Sequence, residues 1–330
     1  MNDILHRIDI FSELGRRLRN FGHDEASQFC INQAIAENEW FSAKDIELAV
    51  EAICREFLDK ERLECWLNSY ATVLAKCSTK RVAIIMAGNI PLVGFFDMMC
   101  VLICGHSVAI KPSSKDNVLM EYICNILRDI EPNIAITHYD PAAEYDKIIA
   151  TGSNSTARLF SQRYTTTPSL IRGSRHSAAL LDGNESAEEL DGLSRDIFSY
   201  NGMGCRSISL LWLPQNYTPH IAAPKVSDMY HGNYLHNRAM LTMQGVELSD
   251  LGGALTVEQE GFSDTLSIIN IMRYTTIDQA EEWLMQHDDS LQCVVSHCSH
   301  HPRCVAFGQA QYPTLSDYAD GVDVIAFLTE

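Results

Sequence analysis

From Arg81 onward the chain alternates short, β-rich apolar runs with helical stretches, and few folds accommodate that rhythm. RVAIIMAG ends at a glycine and leads into a helical stretch. SVAIKPSS follows as a strand, KDNVLMEYICNILRDI as a helix, NIAITHY as a strand, and DKIIATGSN as a strand that closes on a glycine turn before the helix STARLFSQRY. Strands separated by helices at this spacing build βαβ units and a parallel, doubly wound sheet, so the fold class is α/β. Ligands of such sheets gather at the carboxyl ends of the strands. Asn89, Lys111 and Gly152 all fall there.

The flanking sequence extends this frame. Residues 1–75 carry apolar positions at helical spacing, among them Ile4, Ile8, Leu14 and Leu18, and read as several helices packed on a larger body. The apolar run from Ile90 to Gly105 is interrupted by Asp97, is too short to span a membrane, and reads as a buried helix. In the second half, HSAALLDG is a strand, ESAEELDGLSRDIFSYNG a helix and SISLLWLP a buried strand. A helix is expected around Ala222 to Met243, then a strand in DTLSIINIMRY, a capped helix in TIDQAEEWLMQH and a strand in LQCVVS. The tail from Gln311 reads as ending in a strand that closes a sheet or joins subunits. A length of 330 residues suits two bodies of this kind. The change of role near Arg172 to Ser174 puts the boundary between residues 1–172 and 173–330.

Charge and cysteine usage narrow the partners. A formal charge of -18 makes nucleic acid and anionic membrane surfaces poor partners, because phosphate binding needs a concentrated basic surface. The first twenty residues, MNDILHRIDIFSELGRRLRN, lack the apolar core and cleavage site of a secretory signal. Eleven cysteines without regular spacing, in a chain able to build its own core, point to a reducing cytoplasm. Cys293, Cys298, His300, His301 and Cys304 cluster near the end, but their spacing fits no structural zinc pattern, and no metal is expected.

The chemistry centres on NGMGCRS, Asn201 to Ser207, where a cysteine stands behind two glycines between a helical run and an apolar strand. A thiol attacks well only as thiolate, in a polar, positively biased and open site. Gly202 and Gly204 give room and permit unusual backbone angles, and Arg206 adds charge. When the sulfur of Cys205 adds to a carbonyl, the developing oxyanion must meet preset donors. The Cys205 N–H is one, and the side-chain amide of Asn89, in AGNIP at a strand end, is a second.

These residues resemble the aldehyde dehydrogenase superfamily, and within it the acyl-CoA reductases similar to the fatty-acid reductase component of bacterial luminescence systems. The resemblance runs from about Arg81 to the end. GNIP at Gly88 to Pro91 looks like the family's strand-end Asn motif, which implies an oxyanion role for Asn89. IKPSS at Ile110 to Ser114 looks like its KPS motif, implying that Lys111 holds the adenosine ribose or a 2′-phosphate. TGSNSTAR resembles the Gly-Ser turn beneath the cofactor pyrophosphate, at Gly152 and Ser153, and GMGCRS matches the nucleophile turn. EGFSDTLSI resembles the Glu-x-Phe motif, in which Glu260 would bind the nicotinamide ribose and Phe262 would pack near the ring. The resemblance thus implies an aldehyde dehydrogenase-like fold with a Rossmann-type cofactor domain and an α/β catalytic domain. It also implies NADPH or NADH as cofactor, an acyl-CoA or other acyl thioester as substrate, and a homo-oligomer.

One departure bears on the reaction. Hydrolytic members carry a glutamate base in a segment resembling LELGGKS, and the corresponding stretch here is LIRGSRH, which puts Ile171 at the base position. Isoleucine accepts no proton, so hydrolysis of the thioester is disfavoured and hydride transfer or thiol exchange is favoured. Two alternatives to reduction stand beside it: an acyl carrier or acyltransferase using Cys205 without a redox step, and a degenerate binding module. Arg172, Arg175 and His176 are expected as a basic cluster at the domain junction, facing phosphates or making an interdomain salt bridge. His176 is a candidate proton donor. Asp97 lines the site, is a buried, hydrogen-bonded carboxyl, or faces solvent in a turn.

Overall fold

The computed structural model describes residues 2–222 and 224–330 and divides into two compact units, Met1–Ser174 with Thr314–Glu330, and Arg175–Pro313. The first unit begins with five helices: α1 (Asn2–Leu18), α2 (Glu25–Glu37), α3 (Ala43–Glu56), α4 (Lys60–Asn68) and α5 (Ala71–Leu74). Side-chain caps start α2, α3 and α4, where Asp24, Ser42 and Asp59 accept from backbone N–H groups one turn on. Then come β1 (Arg81–Ile85), α6 (Phe95–Ile103), β2 (Ser107–Lys111), α7 (Asn117–Ile130), β3 (Ile136–His138), β4 (Lys147–Thr151), α8 (Asn154–Arg163) and β5 (Ser169–Arg172). The five strands are all parallel, in the order β3-β2-β1-β4-β5. The order reverses between β1 and β4, and that switch opens a crevice at the strands' carboxyl ends.

α6 is apolar on nearly every side because it is buried on nearly every side; Phe95, Met98, Met99, Cys100, Val101 and Ile103 have no exposed surface. Asp97 in its first turn is buried too, and its carboxylate meets the Arg172 guanidinium at 2.7 Å. Arg172 is therefore spent inside the first unit, in place of the expected junction cluster. Arg175 gives its guanidinium to the carbonyls of Asp288 and Leu291 at 3.3 and 3.1 Å.

The second unit comprises β6 (His176–Leu180), α9 (Ala187–Phe198), β7 (Ile208–Pro214), α10 (Asp228–Met243), β8 (Ser249–Asp250), β9 (Leu255–Glu258), β10 (Ile268–Tyr274), α11 (Ile277–Gln286), β11 (Leu291–Val295) and β12 (Cys304–Val305). Its seven strands run β12-β11-β6-β7-β10-β9-β8, parallel except for the β8–β9 pair. α10 starts six residues later than expected, because Pro224 disfavours helix in what precedes it and Ser227 caps the helix by accepting from Tyr230 N–H.

The tail corrects a third expectation. It ends in helix α12 (Val324–Thr329), not a strand. Asp323 caps it by accepting from Ala326 N–H, and Val324, Ile325 and Leu328 bury one face in the core of the first unit. Its last carbonyls are met by Lys80, Lys147 and His106, donors that suit the negative end of a helix. Tyr318 accepts from the Trp66 indole at 2.9 Å and Tyr70 donates to Asp323 at 2.7 Å, which fastens the approach to α12. Among the described residues, no helix is long and apolar enough to cross a membrane.

Candidate active site

The nucleophile candidate follows a short stretch of costly backbone. Tyr200, Asn201 and Gly202 take consecutive left-handed conformations, with φ of 54°, 53° and 68°. Non-glycine residues adopt this region reluctantly, and surrounding contacts must hold them there. The Asn201 side chain is buried and accepts from the Ser227 hydroxyl at 2.6 Å, and the Tyr200 ring is buried as well. Gly202 has no such latitude, since a Cβ there would stand 3.3 Å from the Ile197 carbonyl. A tight turn follows, in which Ser207 N–H donates to Gly204 C=O at 2.9 Å and Cys205 occupies the first corner, half-buried.

Three neighbours brace that turn. Ser177 on β6 donates its hydroxyl to the Cys205 carbonyl at 2.9 Å. Arg206 donates its Nε to the Ala310 carbonyl, and Gln311 reaches Ser207 Oγ at 3.4 Å. The segment that receives Arg206 is itself pinned by Asp196 on α9, whose carboxylate accepts Gly308 N–H at 2.6 Å and Ala310 N–H at 3.0 Å. Burial pushes the Asp196 carboxyl up to about 7, against the pull of those two donors and of Arg195 and Arg206.

The Glu-x-Phe segment also reaches this edge of the second sheet. It leaves the far end of β9, and Gly261 C=O accepts from the Asn270 side chain at 2.9 Å as the chain crosses β10. Ser263 N–H then donates to Ser209 C=O at 3.3 Å, next to the start of β7. Phe262 stacks on His176 with ring centroids 5.0 Å apart and a 9° interplanar angle, and packs on Trp283 at 5.4 Å. His176 uses both ring nitrogens, toward Ser209 at 3.4 Å and Asp264 at 3.2 Å, and burial holds it below the ordinary histidine range although Asp264 opposes this. Glu260 is exposed.

In the first unit, Lys111 closes β2 beside Ile85 of β1, and Gly152 follows β4 directly, so both stand at the carboxyl edge around the topological switch. Asn89 is half-buried in the loop after β1. Leu92 in that loop has a φ of 57°, and its N–H is held by the buried Asp116 carboxylate at 2.8 Å. Ser153 caps α8 by accepting from Thr156 N–H, and is itself exposed. Lys111 is exposed, and its ammonium has no protein partner among the described residues. A free cation and a helix N-terminus on one sheet edge, in a chain of charge -18, are donors that fit the phosphates and ribose of a dinucleotide. Ile171 on β5 packs against Ala83, Ile85, Ile148 and Ala150, an apolar environment for an apolar side chain.

The cysteine and histidine cluster near the end resolves into separate roles. Cys293 is buried on β11 and its N–H donates to Ser177 Oγ at 3.2 Å. His297 lies between Glu189 at 2.7 Å and Asp182 at 3.1 Å, and these carboxylates hold it above the ordinary histidine range. Asp182, His297 and Cys298 place ligand atoms within 4.8 Å of one another. The ion pair of His297 with Asp182 brings two of these together, and Cys298 follows as the next residue in the chain, held by Ser296.

Sequence patterns found the turn and the strand-end motifs but missed Ser177, Asp196 and Asp116. Each is a buried polar residue in an element interior or at a helix start, and its partner is distant in sequence. The one readable signal was a hydroxyl followed by an apolar run in HSAALL.

A family model described as acyl-CoA reductase (LuxC) matches residues 38–227. The chain belongs to the acyl-CoA reductase (LuxC) family. Family membership makes this protein an oxidoreductase enzyme. No curated protein matches it. Among solved structures, aldehyde dehydrogenase 21 from Physcomitrella patens, in complex with succinate, is similar over 89% of this chain and 73% of that one, at 11% identity and a TM-score of 0.64. A propionaldehyde dehydrogenase variant from the Clostridium phytofermentans fucose utilisation bacterial microcompartment is similar over 94% and 82%, at 12% identity and 0.60. An NAD+ complex of an aldehyde dehydrogenase from Bacillus cereus is similar over 89% and 71%, at 14% identity and 0.59. At these identities the likeness establishes an aldehyde dehydrogenase fold for the family member described here.

Proposed function

We propose that this protein reduces an acyl-CoA thioester to an aldehyde with NADPH or NADH, through an acyl group carried on Cys205. The observation that carries the reading is the left-handed run from Tyr200 to Gly202, followed at once by the tight turn from Gly204 to Ser207 on which Ser177 braces Cys205. Strained, over-determined backbone of this kind gathers at functional sites.

In this reading the Cys205 thiolate attacks the thioester carbonyl. The Cys205 N–H and the Asn89 amide are the donors to the oxyanion. The tetrahedral adduct expels CoA thiolate, which takes up a proton, and leaves an acyl thioester on Cys205. Lys111, Gly152 and Ser153 would hold the dinucleotide's adenosine and pyrophosphate side, with Glu260 at the nicotinamide ribose and Phe262 near the ring. When bound, the reduced dinucleotide supplies the hydride that takes the acyl group to the aldehyde level. Collapse of the resulting hemithioacetal releases aldehyde and restores the Cys205 thiolate. Ile171 offers no base at the position where hydrolytic relatives have a carboxylate, so water competes poorly for the thioester. The protein works in the cytoplasm as a homo-oligomer in this account; its eleven cysteines without regular spacing support the first part and the exposed Met229, Met240 and Met243 of α10 offer a surface for the second.

The test is a screen of acyl-CoA chain lengths against both reduced dinucleotides, with aldehyde and free CoA quantified and Cys205→Ser as control. Thioester-dependent oxidation that yields one aldehyde per CoA, and that Cys205→Ser abolishes, is expected. Absence of such turnover for every chain length and both dinucleotides would overturn the reading.

A further inference from the structure

Ser177 presents a physical problem of its own. It has no exposed surface, it precedes the fully buried Ala178, Ala179 and Leu180 of β6, and a hydroxyl in such a place is a net cost unless its hydrogen bonds are made. Its bonds are made on both sides, to Cys205 and to Cys293. The hydroxyl proton goes to the Cys205 carbonyl at 2.9 Å. The oxygen accepts Cys293 N–H at 3.2 Å and lies 3.2 Å from Cys293 Sγ. Cys293 stands opposite Ser177 where β11 pairs with β6 beside an irregularity in the register; its N–H orients the hydroxyl, and the hydroxyl orients the peptide that follows Cys205.

That peptide is the middle one of the tight turn from Gly204 to Ser207. A mid-turn peptide is the part of such a turn most free to rotate, because the turn's own hydrogen bond closes around it. Rotation there would change ψ of Cys205 and φ of Arg206, part the Cys205 carbonyl from Ser177, and loosen the backbone on which the Cys205 side chain is seated. On the next residue, Arg206 is bound to Ala310 C=O, so the turn is held from both sides.

We infer that Ser177 is a positioning residue for the reaction at Cys205: by holding the Cys205 carbonyl it fixes the direction of the thiol for attack on the acyl carbonyl. This rests on the reading of Cys205 as nucleophile. Ser177 itself touches no reacting atom. Its effect belongs to the acylation step and not to substrate affinity, since misplacing a reacting group by a fraction of an ångström lowers rate without removing binding contacts.

The experiment compares wild type, Ser177→Ala, Ser177→Cys and Ser177→Thr by intact-protein mass spectrometry of acyl-CoA acylation, with peptide mapping of the adduct. The second readout is the pH dependence of iodoacetamide labelling at Cys205 in protein shown to be folded by near-UV circular dichroism. Expected is an acylation rate about tenfold to hundredfold lower in Ser177→Ala at unchanged half-saturating acyl-CoA, with recovery in Ser177→Thr, which keeps the hydroxyl. Ser177→Cys preserves volume and replaces a strong donor by a weak one, so it covers the case in which the alanine variant fails to fold. An adduct on Cys205 that forms at the wild-type rate in folded Ser177→Ala or Ser177→Cys would overturn the positioning role while leaving the nucleophile in place. Wild-type protein that acquires no adduct on Cys205 would overturn the nucleophile reading itself.

Discussion

The Arg172 guanidinium lies 2.7 Å from the Asp97 carboxylate, and both side chains are about 6% exposed. One joins the end of β5 and the other the start of α6, so the pair ties helix to sheet inside the first unit. It is incompletely satisfied: among the described residues, Asp97 Oδ1 and the Arg172 Nε and Nη2 have no hydrogen-bond partner. Removing one partner leaves a buried charge alone, which costs about 3–5 kcal/mol. Arg172→Met and Asp97→Leu are each expected to lose stability on that scale in urea unfolding. The double variant should recover most of the loss.

Two glycines respond oppositely to alanine. Gly202 takes a φ of 68° with the Ile197 carbonyl close by, so Gly202→Ala should cost about 1–2 kcal/mol and slow any chemistry at Cys205. Gly232 lies within α10, and a Cβ there meets nothing within 4 Å. Gly232→Ala should stabilise by roughly 0.5–1 kcal/mol. Thermal and urea unfolding of both variants give the comparison directly.

Acid should loosen the C-terminal helix through His106. Its Nδ1 accepts from Lys80 N–H at 3.2 Å and its Nε2 donates to Leu328 C=O at 3.1 Å, a pattern that requires the neutral ring. Burial holds His106 below the ordinary histidine value, while the bond to Leu328 pulls the other way. The native state therefore binds this proton less readily than the unfolded state, and stability rises with pH across that gap. The contribution is fully present above about pH 6.5 and is lost as pH falls through the lowered native value. Urea unfolding between about pH 5 and pH 8 should show this slope in wild type and a shallower one in His106→Gln.

Lys111 offers an exposed cation at the end of β2. If the dinucleotide binds as proposed, Lys111→Ala should weaken NADPH or NADH by about tenfold to hundredfold, the loss expected for one charge-assisted hydrogen bond. Fluorescence titration measures this, and unchanged affinity for both dinucleotides would remove Lys111 from the cofactor site.

The elements that strand and helix periodicity could read are those whose signals are local. β1, β2 and β4 end in the motifs that carry Lys111 and Gly152, and the turn at Cys205 is marked by its own glycines. What escaped reading depends on contacts remote in sequence. The tail from Gln311 reads as ending in a strand, but the Asp323 cap and the core contacts of Val324, Ile325 and Leu328 make it a helix. Arg172 looked like one third of a basic cluster because its partner Asp97 is 75 residues away. The role of Ser177 depends in the same way on partners 28 and 116 residues away, Cys205 and Cys293.

The central claim is that Cys205 carries the acyl group and that reduction discharges it. Intact-protein mass spectrometry, after mixing with acyl-CoA alone and then with NADPH or NADH, tests it most directly. The account predicts a single acyl adduct mapping to Cys205, lost on adding reduced dinucleotide with release of aldehyde. An adduct that persists in the presence of both dinucleotides, or that forms equally on Cys205→Ser, would contradict it.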